Sequence, residues 1–379
     1  MTSRRRAEPV TIVAAGAVTP LGADLDGFWS GLVTGTDGIS MIERFPVDDL
    51  RVGRAGCRAT QLLLAAAQDL LARAPLSAAP ERVAVVVGTA LGGVEQLERA
   101  IAQKGRVRHA ARAFYDSPAH GLARWVGARG PVLTVGTACA AGATALGTGA
   151  ELLHAGVVDA VIAGGYDGLC RFVMRGFDAL RSLTRERIRP FDRRRSGLLL
   201  GEAAALVLMT RDEGGGGPRL GRLLGHASAS DGSHISAPDP KGRGLEFAVR
   251  TALDEAGLTA DSIEFVSAHG TGTPLNDRIE AEVLRRTLGQ RTSRIPVNSI
   301  KGALGHSMGA AATLEALTCL LASRDGVVPH TVGLEEPDPV CDLDHVMGSP
   351  RAVRPHVSLS TSLGFGGCNA ALVLEGASA

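Results

Sequence analysis

Short apolar runs alternate with longer segments of small and leucine-rich positions along this chain. Residues 10–15 and 83–88 are β-branched runs ending in glycine or small residues, which predicts strands buried on both faces. Residues 132–135 form another such run and lead into Cys139. The stretch 140–154 is alanine- and leucine-rich without proline, which predicts a buried helix. Residues 159–164 and 203–210 read as further strands, and four consecutive glycines at 214–217 read as a linker. A similar order follows: strands at 223–228, 263–267 and 295–297, helices at 244–256, 277–288 and 310–322, then strands at 357–362 and 370–375 flanking a glycine-rich turn. The pattern predicts an α/β protein of two βα-rich halves, 1–217 and 218–379, related by internal duplication.

Composition narrows the class. A chain of 379 residues fits two domains or one large duplicated domain. A hydrophobic content of 45% and charged content of 21% describe a globular protein, and no uncharged run is long enough to cross a bilayer. A formal net charge of +1 argues against a general nucleic-acid binder, which needs a strongly basic face. The six cysteines contain no C-x-x-C pair, which argues against a zinc site or disulfide scaffold. Met-Thr-Ser-Arg-Arg-Arg at the N-terminus is followed by no apolar h-region, so the expected setting is the reducing cytoplasm, where a reactive thiol survives.

Three segments carry candidate chemistry. Cys139 sits in Thr-Ala-Cys-Ala-Ala-Gly between a strand and a helix. A turn residue there feels the positive end of the helix dipole, which favours a thiolate nucleophile. Its small neighbours leave room for an acyl chain. A buried structural thiol is the commoner role for a cysteine taken alone. His269 in His-Gly-Thr-Gly-Thr-Pro and His306 in Lys-Gly-Ala-Leu-Gly-His shift that balance. A neutral imidazole donates one N–H to a carbonyl oxygen that is gaining charge, and two such donors stabilise an enolate. The alternative is two satisfied loop histidines.

Together these segments resemble the β-ketoacyl-ACP synthases of the elongating type, the ketosynthases of type II fatty acid and polyketide pathways. The turn Gly-Phe-Gly-Gly-Cys-Asn at 364–369 matches that family's C-terminal Gly-Phe-Gly-Gly-x-Asn, and the likeness runs from residue 18 to Asn369. The resemblance implies a thiolase-like fold, two duplicated halves stacked as five α-β-α-β-α layers. It implies an acyl thioester on Cys139 taken from an acyl-carrier protein. It implies a decarboxylative Claisen condensation assisted by His269 and His306, with Lys301 and Glu315 ordering the histidines. Backbone N–H groups of Cys139 and Phe365 would form the oxyanion hole, with the Phe365 ring as gatekeeper. Asp277 and Glu280 fit supporting acidic positions, although Asp277 also suits a helix N-cap. Thr271, Thr273 and Asn369 would bind the carrier's phosphopantetheine arm and substrate. The resemblance implies no metal and no resident cofactor. It implies a homodimer, or a heterodimer with a ketosynthase-like subunit.

The chain also departs from that pattern. Ala141 replaces a serine, Ser196 an aspartate and Ala203 a glycine, residues 39–58 are shortened, and residues 106–117 fit poorly. The basic cluster Arg185, Arg187, Arg189 and Arg193 to Arg195 could steer an acidic carrier or form internal ion pairs. Cys368 reads as a small packing residue. The rival functions are an acyltransferase-like homologue that does not condense and a chain-length-determining partner subunit, the latter disfavoured by retention of Cys139 and both histidines.

Overall fold

The computed structural model describes residues 8–40, 58–102, 107–211 and 219–377. The glycine run at 214–217, the boundary at 217/218 and most of the shortened stretch 39–58 lie outside the described residues. The first part of the chain forms β1 (Val10–Val18), α1 (Leu25–Thr34), α2 (Arg58–Arg73), β2 (Val83–Gly88), α3 (Val94–Ala102), α4 (Val107–Arg112), α5 (Ser117–Val126), β3 (Val132–Val135), α6 (Ala141–His154), β4 (Ala160–Asp167), α7 (Arg171–Ala179) and β5 (Ala203–Arg211). The second part forms β6 (Gly221–Ser230), α8 (Arg243–Ala256), β7 (Phe265–Ser267), α9 (Pro274–Leu288), β8 (Pro296–Asn298), α10 (Lys301–Leu304), α11 (Ala311–Asp325), β9 (Asp344–His345), β10 (Val357–Gly364) and β11 (Cys368–Gly376).

The strands join in one sheet, ordered β3-β2-β4-β5-β1-β6-β11-β10-β7-β8-β9. Its pairing senses repeat. From β3 to β1 they run parallel, parallel, antiparallel, antiparallel. From β8 to β6 they run in the same succession. Among the described residues the two series meet through the short contact of Val10, Thr11 and Ile12 with Leu223, Arg222 and Gly221.

Side-chain alternation turns this sheet into layers. In β2, Val83, Val85 and Val87 pack outward against Leu63, Leu70 and Leu122 of α2 and α5. Ala84 and Val86 face inward, into a core shared with Leu146 and Leu153 of α6 and Leu317 and Leu320 of α11. On the other side of that core lie Leu372 and Leu374 of β11, whose neighbours Ala371 and Val373 face α8 and α9 through Leu245, Val249, Ile279 and Leu284. Both half-sheets are therefore covered on both faces, which explains their continuous rather than alternating apolar runs. The result is five layers: α2 and α5, half-sheet, α6 and α11, half-sheet, α8 and α9. In α11 residues 311 to 323 are all buried, so its apolar character surrounds the helix, as a central element requires.

The two central helices start alike, and later than the sequence predicts. A 3₁₀ turn, Ala138–Ala140, precedes α6, and a 3₁₀ turn, Met308–Ala310, precedes α11. The first residue of each turn has a positive φ without being glycine: 49° at Ala138 and 48° at Met308. Such backbone is costly and persists only where packing enforces it. Helix α9, by contrast, begins earlier than predicted, at Pro274 rather than at 277, with the proline in the first turn, where its missing N–H costs nothing.

Candidate active site

The strained turn after β3 lifts Cys139 to the start of α6, where it is 5% exposed. The turn Phe365–Gly367 between β10 and β11 closes over it, and the Phe365 N–H donates to the Cys139 sulfur. That approach favours glycine at 364, because a Cβ there would stand 3.1 Å from the Cys139 nitrogen, a tight contact. The Phe365 ring lies against Phe177 of α7, with centroids 5.4 Å apart.

His269 follows β7 and His306 follows α10, and both are buried. Cys139 Sγ and one nitrogen of each imidazole lie within 4.8 Å of one another, and the two rings meet edge to face at 5.2 Å. The remaining ring nitrogens fix the tautomers. His306 Nδ1 accepts the Met308 N–H at 3.3 Å, so the neutral ring carries its proton on Nε2, which has no hydrogen-bond partner among the described residues. His269 Nδ1 lies 3.2 Å from Lys301 Nζ, which leaves its proton on Nε2 too. Lys301 spends its other donors on the His269 carbonyl and on Glu315 Oε1.

Burial holds both imidazoles well below their ordinary pKa, reinforced by the Lys301 charge, so they are neutral near pH 7. Burial raises Glu315 to about 8 against the pull of Lys301. At the sulfur, burial opposes the thiolate that a helix start favours. Burial pushes the Cys139 thiol up to about 12, and the Lys301 charge and the Phe365 N–H only partly oppose it. In this closed pocket desolvation outweighs the Lys301 charge and the Phe365 N–H, which favours the thiol over the thiolate at rest. The three ligand atoms are spaced closely enough for a divalent cation, but Lys301 beside His269 has the wrong charge to support one.

Two acidic residues hold the loop that carries His269. Glu280 accepts the N–H groups of His269 and Gly270 at 2.7 and 2.8 Å and the Thr361 hydroxyl at 2.7 Å. Asp277 accepts from Thr271, Gly272 and Phe191 and so braces this loop instead of capping α9. Thr271 and Thr273 join through their hydroxyls at 2.9 Å. Asn369 commits its amide to Asp231 and the Gly367 carbonyl, which props the Phe365 turn. Cys368 opens β11 opposite Gly364.

Five of the six arginines of the basic cluster form internal ion pairs. Arg187 pairs with Asp37, Arg189 and Arg194 with Glu335, Arg193 with Glu336, and Arg195 with Asp338. In the poorly fitting stretch 106–117, Phe114 is exposed, while Tyr115 donates its hydroxyl to the Thr89 carbonyl. Sequence reasoning missed Asp167, a fully buried carboxylate at the end of β4 that accepts from Thr89, Ala90, Leu91 and Gly309. An ionisable residue ending an eight-residue buried strand was the available signal.

The chain matches the family models described as beta-ketoacyl synthase, N-terminal domain, over residues 7–60 and 55–214, and C-terminal domain, over residues 220–335. It is 34% identical to the tetracenomycin polyketide synthase ketoacyl synthase alpha subunit of Streptomyces glaucescens, over 98% of each chain. It is 34% identical to 3-oxoacyl-[acyl-carrier-protein] synthase 2 of Synechocystis, over 97% of each. A chain of the ishigamide ketosynthase/chain length factor structure superposes with a TM-score of 0.90 at 30% identity, covering 98% of this chain and all of that one. A chain from a type II PKS acyl-carrier protein in complex with its ketosynthase gives 0.91 at 25% identity, again over 98% of this chain and 100% of that one. With a repeated sheet, a thiol at the head of a central helix and two imidazoles facing it, the chain belongs to the beta-ketoacyl synthase family.

Proposed function

We propose that this protein is a β-ketoacyl-ACP synthase that condenses an acyl group held on Cys139 with a malonyl group held on an acyl-carrier protein, in a type II polyketide or fatty acid pathway. The observation that carries this reading is the convergence of the Cys139 sulfur and one nitrogen of each imidazole in one buried site, with both Nδ1 atoms engaged by Met308 and Lys301.

The Cys139 sulfur attacks the acyl thioester. The bond to the carrier sulfur breaks, and the thiol proton ends on the departing carrier thiol. Neither imidazole serves as the base, because each Nε2 already bears its proton. The malonyl thioester then enters with its carbonyl oxygen towards both Nε2–H groups. Its carboxylate leaves as CO₂, and the electron pair becomes an enolate held by those donors. The enolate carbon attacks the Cys139 thioester, whose oxygen is received by the Cys139 and Phe365 N–H groups. The sulfur leaves as thiolate at the head of α6 and is reprotonated from solvent.

Lys301, paired with Glu315, keeps the His269 proton off Nδ1. Phe365 gates the acyl pocket, and Thr271 and Thr273 meet the phosphopantetheine arm. The substrates arrive on the carrier protein with no resident cofactor. The working unit is a homodimer or a heterodimer with a ketosynthase-like subunit, built from halves 1–217 and 218–379, in the cytoplasm. Among the described residues no helix is long and apolar enough to cross a membrane.

The test supplies acyl- and malonyl-loaded carrier protein and assays β-ketoacyl product and CO₂. Product from the wild type and none from Cys139→Ala is expected. Acyl transfer without CO₂ release would instead identify the non-condensing transferase.

A further inference from the structure

The repeated topology contains a second copy of the catalytic turn, and that copy is blanked. Met308-Gly309-Ala310 stands before α11 as Ala138-Cys139-Ala140 stands before α6, with the same positive φ at its first residue. Glycine thus occupies the position of the nucleophile. The strand ends correspond as well. Asp167 closes β4 opposite Ala203, the first residue of β5, and Gly364 closes β10 opposite Cys368, the first residue of β11. Where Gly364 leaves the Cys139 turn open to a ligand, Asp167 Oδ2 reaches into the equivalent place and accepts the Gly309 N–H at 2.7 Å. In the second copy a fixed carboxylate accepts the N–H that corresponds to the Cys139 N–H.

This carboxylate is fully used. Oδ2 also accepts the Ala90 N–H at 2.9 Å, while Oδ1 accepts the Thr89 hydroxyl at 2.6 Å and the Leu91 N–H at 3.0 Å. The Gly309 turn is wedged in place by close backbone packing. A Cβ at Gly165 would lie 2.0 Å from the Gly309 oxygen, and one at Gly309 would lie 2.6 Å from the Thr89 Cα. The residue just before Gly309 is Met308, whose N–H is the donor that occupies His306 Nδ1.

We propose that Asp167 is the positioning residue for His306: it locks the Gly309 turn, so that the Met308 N–H stays on Nδ1 and the His306 Nε2–H stays aimed at the substrate oxygen. Asp167 touches no reacting atom. It acts through one peptide link across the interface between the two halves, and the second, inactive turn is thereby put to use as a support for the first. The catalytic consequence rests on the condensing function proposed above; the effect on the His306 ring does not.

Asp167→Asn tests this directly. The amide preserves the shape but presents N–H to at least one of the N–H donors that Asp167 accepts. Asp167→Ser, with room for a water between its hydroxyl and Gly309, serves if the Asn variant does not fold. Histidine ¹⁵N spectra of the full chain, with His306 assigned by His306→Asn, report the tautomer. The wild type is expected to show protonated Nε2 and bare Nδ1, and the folded variant a mixture of tautomers. Condensation should fall by about 10²-fold, the scale of a misplaced reacting group, while Cys139 acylation by acyl-carrier donor stays near wild type. An unchanged His306 spectrum overturns the proposal. So does an equal loss of acylation and condensation, or failure of both variants to fold, which would assign Asp167 to the fold alone. A wild type that does not condense sinks the functional reading, while the ring spectra still decide the positioning claim.

Discussion

In the proposed mechanism Cys139 reacts as a nucleophile from a pocket that suppresses its ionisation. Its pKa is pushed up to about 12 from the ordinary 9, mainly by burial. Only the thiolate is alkylated at a useful rate. The rate of carboxamidomethylation at Cys139 should therefore climb about tenfold per pH unit through pH 9 without levelling, since each unit below the pKa cuts the thiolate fraction tenfold. A plateau at pH 7 or 8, read by peptide mass spectrometry, would show that the α6 terminus outweighs desolvation. Cys139, His269 and His306 are legible in the sequence because each stands inside a short local motif. The charge state of the sulfur is not, because the groups that desolvate and oppose it come from α10, α11 and the Phe365 turn. Asp167 is hidden for the same reason: Thr89 and Gly309 lie 78 and 142 residues away.

At the scale of elements, the central helices work because their neighbours come close. Gly165 in β4 packs directly on the turn that precedes α11. Gly165→Ala would place a methyl 2.0 Å from the Gly309 carbonyl oxygen, a backbone atom that no rotamer change can move away. Overpacking of this kind costs about 1–3 kcal/mol, and the rigid partner puts this case at the upper end. Denaturant unfolding should show that loss, and a change within about 0.5 kcal/mol, the range of ordinary surface substitutions, would mean the turn yields more easily than the packing implies. The strands and the two buried helices are readable from runs such as 83–88 and 310–322, whose lack of alternation reports burial on every side. Element starts are less readable. The 3₁₀ turns at Ala138 and Met308 depend on contacts with β4 and β10, which no local propensity records. Asp277, which suits an N-cap by its position, is diverted to the N–H groups of residues 271 and 272 by the fold of the loop before it.

For the whole molecule, duplication is the organising fact. One half supplies the sulfur and the other supplies both imidazoles, Lys301 and the Phe365 turn, so the site exists only where the halves meet. The motif order in the sequence already places the thiol well upstream of both imidazoles, and the family models match residues 7–214 and 220–335. Spacing alone could not show that the repeat leaves a second turn, with Gly309 in the place of the thiol. That recognition needs the strand register, which pairs Asp167 and Gly364 with the starts of β5 and β11. The central claim is that one sulfur accepts an acyl group and surrenders it to a carbanion generated by the facing imidazoles. Intact-protein mass spectrometry in two stages measures this most directly. Incubation with acyl-carrier donor should add one acyl mass to Cys139, and a chase with malonyl-carrier protein should remove it as CO₂ and β-ketoacyl-carrier appear together. An acyl adduct that survives the chase, or no adduct at Cys139 at all, would contradict the account.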